Sequence, residues 1–263
     1  MLLTKENYHS LDAELAYMSR SQYLSFLQCE AHEMAKLNGQ WVDETSDAFL
    51  VGSYVHAWNE GTRSEFISEH PEIFKKDGSL KADYKQADKM IATLEADPFV
   101  MYTLTGQKEV IFTAEFAGAM WKVMLDVYNP EKRRIVELKT TKSIRDKFWS
   151  AEYKDKISFI EQYKYILQAA IYSEIERLAN GREAGDWFSY YMVAVGKEEC
   201  PDKEVIDLSD PQRWEYDLEV VKENMPRILA VKAGEVEPVR CERCDYCRST
   251  KRLTRAIHYS ELA

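Results

Sequence analysis

The sequence has no long hydrophobic run, and this absence argues against a membrane-spanning segment. No stretch of about 18 consecutive apolar residues, the minimum length for a helix that crosses a bilayer, occurs in the chain. The first residues, Met-Leu-Leu-Thr-Lys-Glu-Asn, also lack the basic and then apolar layout of a signal peptide. We therefore expect a cytosolic protein with no membrane partner.

Glycine and proline are scarce as well, with ten and seven residues in a chain of 263. They form no polar linker, and the sequence has neither an internal repeat nor a low-complexity segment. The hydrophobic fraction of 45% is typical of a globular protein with a substantial core. We expect one domain over residues 1–263.

Positive charge is in deficit, since the formal net charge is −10, and this disfavours a nucleic-acid partner on average. Two stretches depart from the average. Residues 132–147 contain seven Lys and Arg against two acidic residues, and residues 240–255 contain six against two. A basic stretch is usually only a solvated face. Because both stretches flank the motifs described below, they favour a DNA-binding surface.

The hydrophobic pattern predicts helices and strands that alternate along the chain. Helices are predicted over 19–36, where Ser19 or Ser21 can cap the start, and over 50–67, 81–96, 160–179 and 211–233. Strands are predicted over 108–115, 119–128, 134–141, 187–195 and 204–208. A polar segment, 43–47, precedes the second helix, and a basic connector follows the third strand. This order predicts an α/β fold with a central mixed β-sheet flanked by helices.

Three charged residues on two neighbouring strands form the most informative pattern. Side chains alternate along a strand, so Glu137 and Lys139 point the same way while Val136 and Leu138 point into the core. A hairpin turn can return Asp126 alongside them. Two converging carboxylates can bind Mg²⁺, which would lower the pKa of a bound water, and a lysine can orient that water. Glu-x-Lys alone is more often an exposed ion pair, so the other motifs matter.

The order of the motifs resembles that of the PD-(D/E)XK nucleases. Asp126 followed by Glu137-Leu138-Lys139 matches the D-x(n)-E-x-K signature of that superfamily. Upstream, Gly52-Ser53-Tyr54-Val55-His56 is similar to the G-x-x-x-H element of the RecB-like branch, and Gln168-Ala169-Ala170-Ile171-Tyr172 is similar to its Q-x-x-x-Y element. The nearest resemblance is to phage-type RecE exonucleases, and it implies a restriction-endonuclease-like core.

The resemblance also implies roles for individual residues. The implied metal ligands are Asp126, Glu137, the carbonyl of Leu138 and, as an additional ligand, His56. The implied catalytic residues are Asp126, Glu137, Lys139, Gln168 and Tyr172. Taken alone, His56 is more often a histidine satisfied by a neighbour, and Gln168 and Tyr172 equally suit helix packing. Glu109 is a weaker candidate for supporting the metal or its waters.

The function implied by the resemblance is a Mg²⁺- or Mn²⁺-dependent exonuclease that degrades linear double-stranded DNA in phage-type recombination. A RecT-like single-strand annealing protein is the implied partner, and relatives suggest a homo-oligomer. Two alternatives remain open. One is an endonuclease or repair nuclease on the same core, although the sequence has no phosphate-binding glycine-rich loop of a helicase. The other is a non-catalytic DNA-binding protein on a decayed nuclease fold, which the intact charged triad disfavours.

Three of the five cysteines form a C-x-x-C-x-x-C pattern at Cys241, Cys244 and Cys247. Thiols this close together in a cytosolic protein indicate metal binding rather than disulfides. Cys29 is the natural fourth ligand, which would join the tail 240–252 to the first predicted helix, and Cys200 is expected to be an unligated thiol. The pattern resembles AddB-type nucleases with an iron–sulfur cluster, although the last gap is shorter here. A [4Fe–4S] cluster, Zn²⁺ and reduced free thiols remain alternatives.

Overall fold

A five-stranded mixed sheet, with the strand order β1-β2-β3-β6-β7, forms the centre of the protein in a computed structural model that describes residues 1–43 and 47–262. The strands are β1 (Gln107–Phe116), β2 (Ala119–Asn129), β3 (Arg134–Thr141), β4 (Lys147–Ser150), β5 (Asp155–Ser158), β6 (Ser189–Gly196) and β7 (Lys203–Asp207). Only β3 and β6 pair in parallel, while β1–β2, β2–β3 and β6–β7 are antiparallel. The predicted mixed sheet is confirmed.

Helices flank this sheet. They are α1 (Leu11–Ala16), α2 (Arg20–Gln28), α3 (Glu30–Leu37), α4 (Asp47–Glu60), α5 (Arg63–Glu69), α6 (Ala82–Glu95), α7 (Pro98–Thr103), α8 (Phe159–Gln162), α9 (Tyr165–Ala179), α10 (Pro211–Lys232) and α11 (Asp245–Ser249), with short 3-10 turns at Pro71–Ile73 and Tyr259–Leu262. Among the described residues, none of these helices combines the length and the apolar character required to cross a bilayer.

Each face of the sheet carries its own hydrophobic core, so the middle strands are buried on both sides. Trp121 and Tyr190 pack with α9 and α10 on one face. Val136 and Leu138 pack on the other face with residues of α4 and α6, as the strand alternation predicts. Because both faces of β3 are covered, any charged side chain on this strand is held in a desolvated environment with few alternative positions.

The first predicted helix, 19–36, is in fact two helices. Ser19 caps the start of α2 by accepting a hydrogen bond from the backbone N–H of Gln22, which decides between the two serines proposed as caps. Cys29 then adopts an extended backbone, with φ −164° and ψ 103°, and separates α2 from α3. The helical periodicity continues across the break, which explains why the sequence pattern does not reveal it.

Three other predictions also differ from the structure, and one is the helix predicted over 160–179, which begins as the separate short helix α8 and continues as α9. The helix predicted over 50–67 breaks at Gly61, whose φ of +88° suits glycine and ends α4 before α5 begins. The connector after β3 contains the small hairpin β4–β5 in place of a loop. Of the polar segment 43–47, residues 44–46 lie outside the described residues.

Candidate functional site

The predicted catalytic residues meet at a fork between two central strands. β2 and β3 pair from Val127↔Val136 to Asn129↔Arg134, and they separate at Asp126 and Glu137. At the fork, Oδ2 of the buried Asp126 accepts a hydrogen bond from the backbone N–H of Leu138 at 2.7 Å. The carboxylate therefore satisfies a backbone donor that strand pairing leaves open, and this bond fixes its orientation.

His56 and Glu109 complete a group of potential metal ligands around Asp126. One ligand atom from each of the three residues lies within 4.8 Å of the other two. His56 comes from α4, and its Nδ1 is 3.4 Å from Oδ1 of Asp126. Glu109 comes from β1, where its φ of +52° places it in the left-handed region. A non-glycine residue in that conformation is strained, and such strain is often found at functional sites.

Glu137 lies beside this group but is occupied by other partners. Its Oε1 is 2.5 Å from Nζ of Lys139, and its Oε2 accepts a hydrogen bond from the hydroxyl of Tyr190 at 3.0 Å. The ammonium of Lys139 also lies 5.8 Å from the ring centre of Tyr165. The ligand group in the structure therefore contains Glu109, which the sequence ranked as the weaker candidate. Glu137 instead forms an ion pair with Lys139.

The charge states follow from burial and these contacts. Burial alone would raise the pKa of Asp126, but the neighbouring His56, Lys139 and the Leu138 amide outweigh burial and lower it. Burial together with the negative charge of Asp126 raises the pKa of Glu109 to about 7.

Lys139 shows the opposite balance. Burial would lower its pKa, but the adjacent carboxylates of Glu137 and Asp126 raise it above its usual value. The fork therefore holds a permanent cation next to closely spaced carboxylates. Repulsion between Asp126 and Glu109 is the kind that a bound divalent cation would relieve.

A cavity of about 650 Å³ opens onto the fork and gives it access from outside. Its wall includes His56, Glu109, Asp126, Glu137, Lys139 and Tyr172. Gln168 is buried on α9, one turn before Tyr172, and is not part of the cavity wall. The structure thus brings Tyr172 to the site as expected and places Gln168 behind it.

Among the residues of the cavity wall that sequence reasoning missed are Tyr8 and His9, which precede α1. Tyr8 is held there by Lys122 of β2, a fully buried lysine that donates hydrogen bonds to the carbonyl of Tyr8 and, at 2.8 Å, to Glu14. No motif marks these two residues. A lysine in the middle of an apolar strand is the one signal that could have indicated a buried polar contact with a distant segment.

The basic stretch 132–147 does not form the continuous positive surface that its composition predicts. Arg134 is buried and donates to backbone carbonyls at the end of α7. Arg133 pairs with Asp186, and Arg145 pairs with Asp202 and Glu204. In the second stretch the pairs are Arg240 with Glu242, Arg248 with Asp245 and Lys251 with Glu242. Local ion pairs therefore neutralise much of the charge assigned to a DNA-binding surface.

The four cysteines that the sequence grouped together converge at a second site. The sulfur atoms of Cys29, Cys241, Cys244 and Cys247 all lie within 4.8 Å of one another. Cys29 reaches this point because its extended backbone turns the thiol out between α2 and α3. Cys200 is exposed and stands apart, and no disulfide joins any of the five cysteines.

Contacts beside the thiols fasten the C-terminal segment to α3. Glu30 accepts two hydrogen bonds from the guanidinium of Arg227, at 2.9 and 2.8 Å, and one from the backbone N–H of Val239 at 2.7 Å. The backbone N–H of Ala31 donates to the carbonyl of Val239. These hydrogen bonds align the C-terminal segment with α3 independently of any metal.

Comparison with known proteins identifies the family. The family model described as PDDEXK-like domain of unknown function (DUF3799) matches residues 19–250. A crystal structure from Eubacterium rectale, of a protein described as a "putative exonuclease", shares 42% identity, covers 100% of this chain and 98% of that chain, and superposes with a TM-score of 0.92.

Other comparisons add little. The crystal structure of SSO0001 has 14% identity, covers 86% of this chain and 91% of that chain, and gives a TM-score of 0.28, which is too low to indicate a shared fold. No curated protein matches the chain. The family match and the Eubacterium rectale structure confirm the expected resemblance to PD-(D/E)XK nucleases and the α/β fold. The chain belongs to the PDDEXK-like family DUF3799.

Proposed function

We propose that the protein is a metal-dependent nuclease that hydrolyses phosphodiester bonds in DNA, and that it acts as an exonuclease on linear double-stranded DNA. The observation that carries this proposal is the fork, where His56, Glu109 and Asp126 present ligand atoms within 4.8 Å of one another. Lys139 stands next to them, and the cavity gives a phosphate access to the same point.

The donor set suits a divalent cation that prefers oxygen. Two carboxylates and one imidazole fit Mg²⁺ or Mn²⁺, which accept carboxylate ligands and retain open positions for water and phosphate. The Leu138 carbonyl and Glu137 are further proposed ligands, on the strength of the resemblance alone. When bound, such an ion would polarise the phosphodiester and lower the pKa of a water.

The protein's own residues then have distinct tasks. Lys139 is protonated, so it donates hydrogen bonds to a phosphate oxygen or to the attacking water and stabilises the negative charge that develops there. Glu137 positions the ammonium of Lys139, and the hydroxyl of Tyr190 fixes Glu137 in turn. Asp126 is held in its anionic form by Leu138 and His56. Tyr172 borders the space for the substrate, with Gln168 supporting its helix.

Three DNA substrates distinguish an exonuclease from the alternatives. Linear duplex, nicked circular duplex and single-stranded DNA are incubated with the protein and Mg²⁺, and products are resolved on a denaturing gel. We expect mononucleotides or short fragments from the linear duplex alone. Cleavage of the circle identifies an endonuclease, and binding without cleavage identifies a non-catalytic DNA-binding protein. Either result overturns the exonuclease proposal, and the second overturns the nuclease proposal as well.

The biological setting is proposed from the resemblance to RecE-type exonucleases. It comprises a role in phage-type recombination, hand-over of the exposed strand to a RecT-like annealing protein, and assembly into a homo-oligomer around DNA. Light scattering of the purified protein tests the oligomer directly, since a monomer at micromolar concentration would contradict an encircling ring.

Beside the nuclease centre, we propose that the four cysteines bind a metal centre with a structural role. The cysteines lie at the junction of α2, α3 and the C-terminal segment and are not part of the active-site cavity wall. The resemblance to AddB-type nucleases favours a [4Fe–4S] cluster, with Zn²⁺ as the second candidate.

A further inference from the structure

The distances between the four sulfur atoms indicate which metal centre the site can accommodate. The Sγ atoms of Cys29 and Cys247 are 3.5 Å apart, and all four sulfurs of the site lie within 4.8 Å of one another. In a tetrahedral zinc site each Zn–S bond is about 2.3 Å, which places neighbouring thiolates about 3.8 Å apart. The observed sulfur–sulfur distances, 3.5 Å for one pair and at most 4.8 Å for any pair, lie on either side of that value.

A [4Fe–4S] cluster requires a wider arrangement of the same ligands. Each thiolate binds one iron at a corner of the cube, so the distance from that iron to the cluster centre adds to the Fe–S bond in every direction. The sulfurs must therefore stand much farther apart than around a single ion. Four sulfurs within 4.8 Å of one another leave no room for four irons and four sulfides between them.

The space next to the site leads to the same conclusion. A cavity of about 320 Å³ lies nearby, and its wall includes Cys29 and Cys241 together with Glu30 and Arg227. Cys244 and Cys247 are not part of that wall. A cluster in this cavity would contact only two of the four thiols. The space between the four sulfurs is close enough to all of them to suit one ion.

Backbone hydrogen bonds favour the thiolate form at this shared point. The sulfur of Cys241 accepts from the backbone N–H groups of Arg243 and Cys244, at 3.4 and 3.3 Å. The sulfur of Cys244 accepts from Cys247 at 3.4 Å, and that of Cys29 accepts from Cys241 at 3.4 Å. Such donors stabilise the negative charge that four thiolates carry around a divalent ion.

We infer that Cys29, Cys241, Cys244 and Cys247 bind a single tetrahedral Zn²⁺ ion in place of the iron–sulfur cluster of the AddB-type nucleases. The ion joins the helix junction at Cys29 to the C-terminal segment. A disulfide between Cys29 and Cys247 is not the alternative, because its sulfurs would be bonded at about 2.0 Å. The inference is independent of the nuclease proposal.

Metal analysis of the full-length protein tests the inference. The protein is purified anaerobically without added metal, and zinc, iron and acid-labile sulfide are measured on the same sample. We expect a colourless protein with about one zinc per chain and almost no iron or sulfide. A brown protein with iron and sulfide in equal amounts would overturn the inference, and so would a protein without bound metal.

Two variants connect the zinc to these thiols. Cys247→Ser should lose the zinc, whereas Cys200→Ser, which changes an exposed cysteine outside the site, should retain it. If Cys247→Ser does not fold, a mercurial thiol reagent is titrated into Cys200→Ser, where every remaining cysteine belongs to the site. Zinc release that rises in step with the four thiols supports the inference. Zinc that stays bound after all four have reacted contradicts it.

Discussion

The fork between β2 and β3 and the four-cysteine site both gather ligand atoms within 4.8 Å, yet they differ in access and in connection to the chain. The fork opens into a cavity of about 650 Å³, and its ligands come from elements already packed around one sheet. The cysteine site buries Cys29 and Cys247 and joins segments 218 positions apart. An open site suits turnover of a substrate, and a closed one suits cross-linking of the fold.

The two sites also differ in how their charges are stabilised. At the fork, the buried Asp126 and the half-buried Glu109 repel one another, so the protein stores unfavourable electrostatic energy where a cation is needed. At the cysteine site, backbone N–H groups and the surrounding hydrogen bonds stabilise the ligands. Substitutions at the fork should therefore lower activity more than stability. Substitutions at the cysteine site should lower stability more than activity.

The largest expected effect is on stability, at the cysteine site. Cys247→Ser should lower the free energy of unfolding by about 5 kcal/mol, because metal binding stabilises only the folded chain, in which Cys29 and Cys247 lie together, and the variant loses that binding free energy. Chemical denaturation followed by circular dichroism measures the change. Cys200→Ser is the matched control and should differ from the wild type by less than about 0.5 kcal/mol. Equal stability of the two variants would show that the cysteine site does not cross-link the fold.

Asp126→Asn should have the converse effect. We expect cleavage of linear duplex to fall about a thousandfold, equivalent to about 4 kcal/mol in the activation barrier, because the central carboxylate is lost. Thermal stability should change little, because the lost repulsion on Glu109 is offset by the lost attraction of Asp126 to His56 and Lys139. Initial rates and melting curves of the same preparation test both statements. A variant with full activity would remove Asp126 from the catalytic centre.

Glu109→Gln tests whether the third member of the ligand group binds the metal. The Mg²⁺ concentration required for half-maximal cleavage should rise roughly tenfold to hundredfold, as expected when a metal site loses part of its support. High Mg²⁺ should restore much of the rate. Glu115→Gln, an exposed carboxylate on the same strand, is the control and should leave the Mg²⁺ requirement unchanged. An unaltered requirement in Glu109→Gln would assign that residue a structural role only.

The smallest effect is expected at Tyr190, which fixes Glu137 through a hydrogen bond of 3.0 Å. Tyr190→Phe should reduce the cleavage rate about tenfold and the stability by about 1 kcal/mol, because Glu137 then positions Lys139 less firmly. Tyr191→Phe changes the neighbouring side chain on the other face of the sheet and serves as the control. A cleavage rate equal to that of the wild type in Tyr190→Phe would show that this hydrogen bond does not position Glu137 for catalysis.

The part of the site that sequence could predict is the part carried by local pattern. Strand alternation placed Glu137 and Lys139 on one side and Val136 and Leu138 in the core. The need for a fourth thiolate and the resemblance to AddB-type nucleases indicated Cys29, and the four sulfurs do converge. In each case the local periodicity of an element, or a motif order shared with a family, fixes the geometry.

The parts that sequence could not predict depend on contacts between distant segments. Tyr8 reaches the cavity through the buried Lys122, more than one hundred positions away, and no local pattern indicates which distant segment that lysine contacts. The position of Glu109 in the ligand group depends on its left-handed backbone conformation within β1. Likewise, the break at Cys29, whose sulfur lies with those of the other three cysteines of the site, falls within an uninterrupted helical pattern.

Anomalous X-ray scattering from one crystal grown with Mn²⁺ tests the contrast between the two sites most directly. Data collected on both sides of the zinc, iron and manganese absorption edges identify the element at each position. We predict a zinc peak among Cys29, Cys241, Cys244 and Cys247, and a manganese peak among His56, Glu109 and Asp126. Iron at the cysteine site, or no manganese at the fork, would contradict this account.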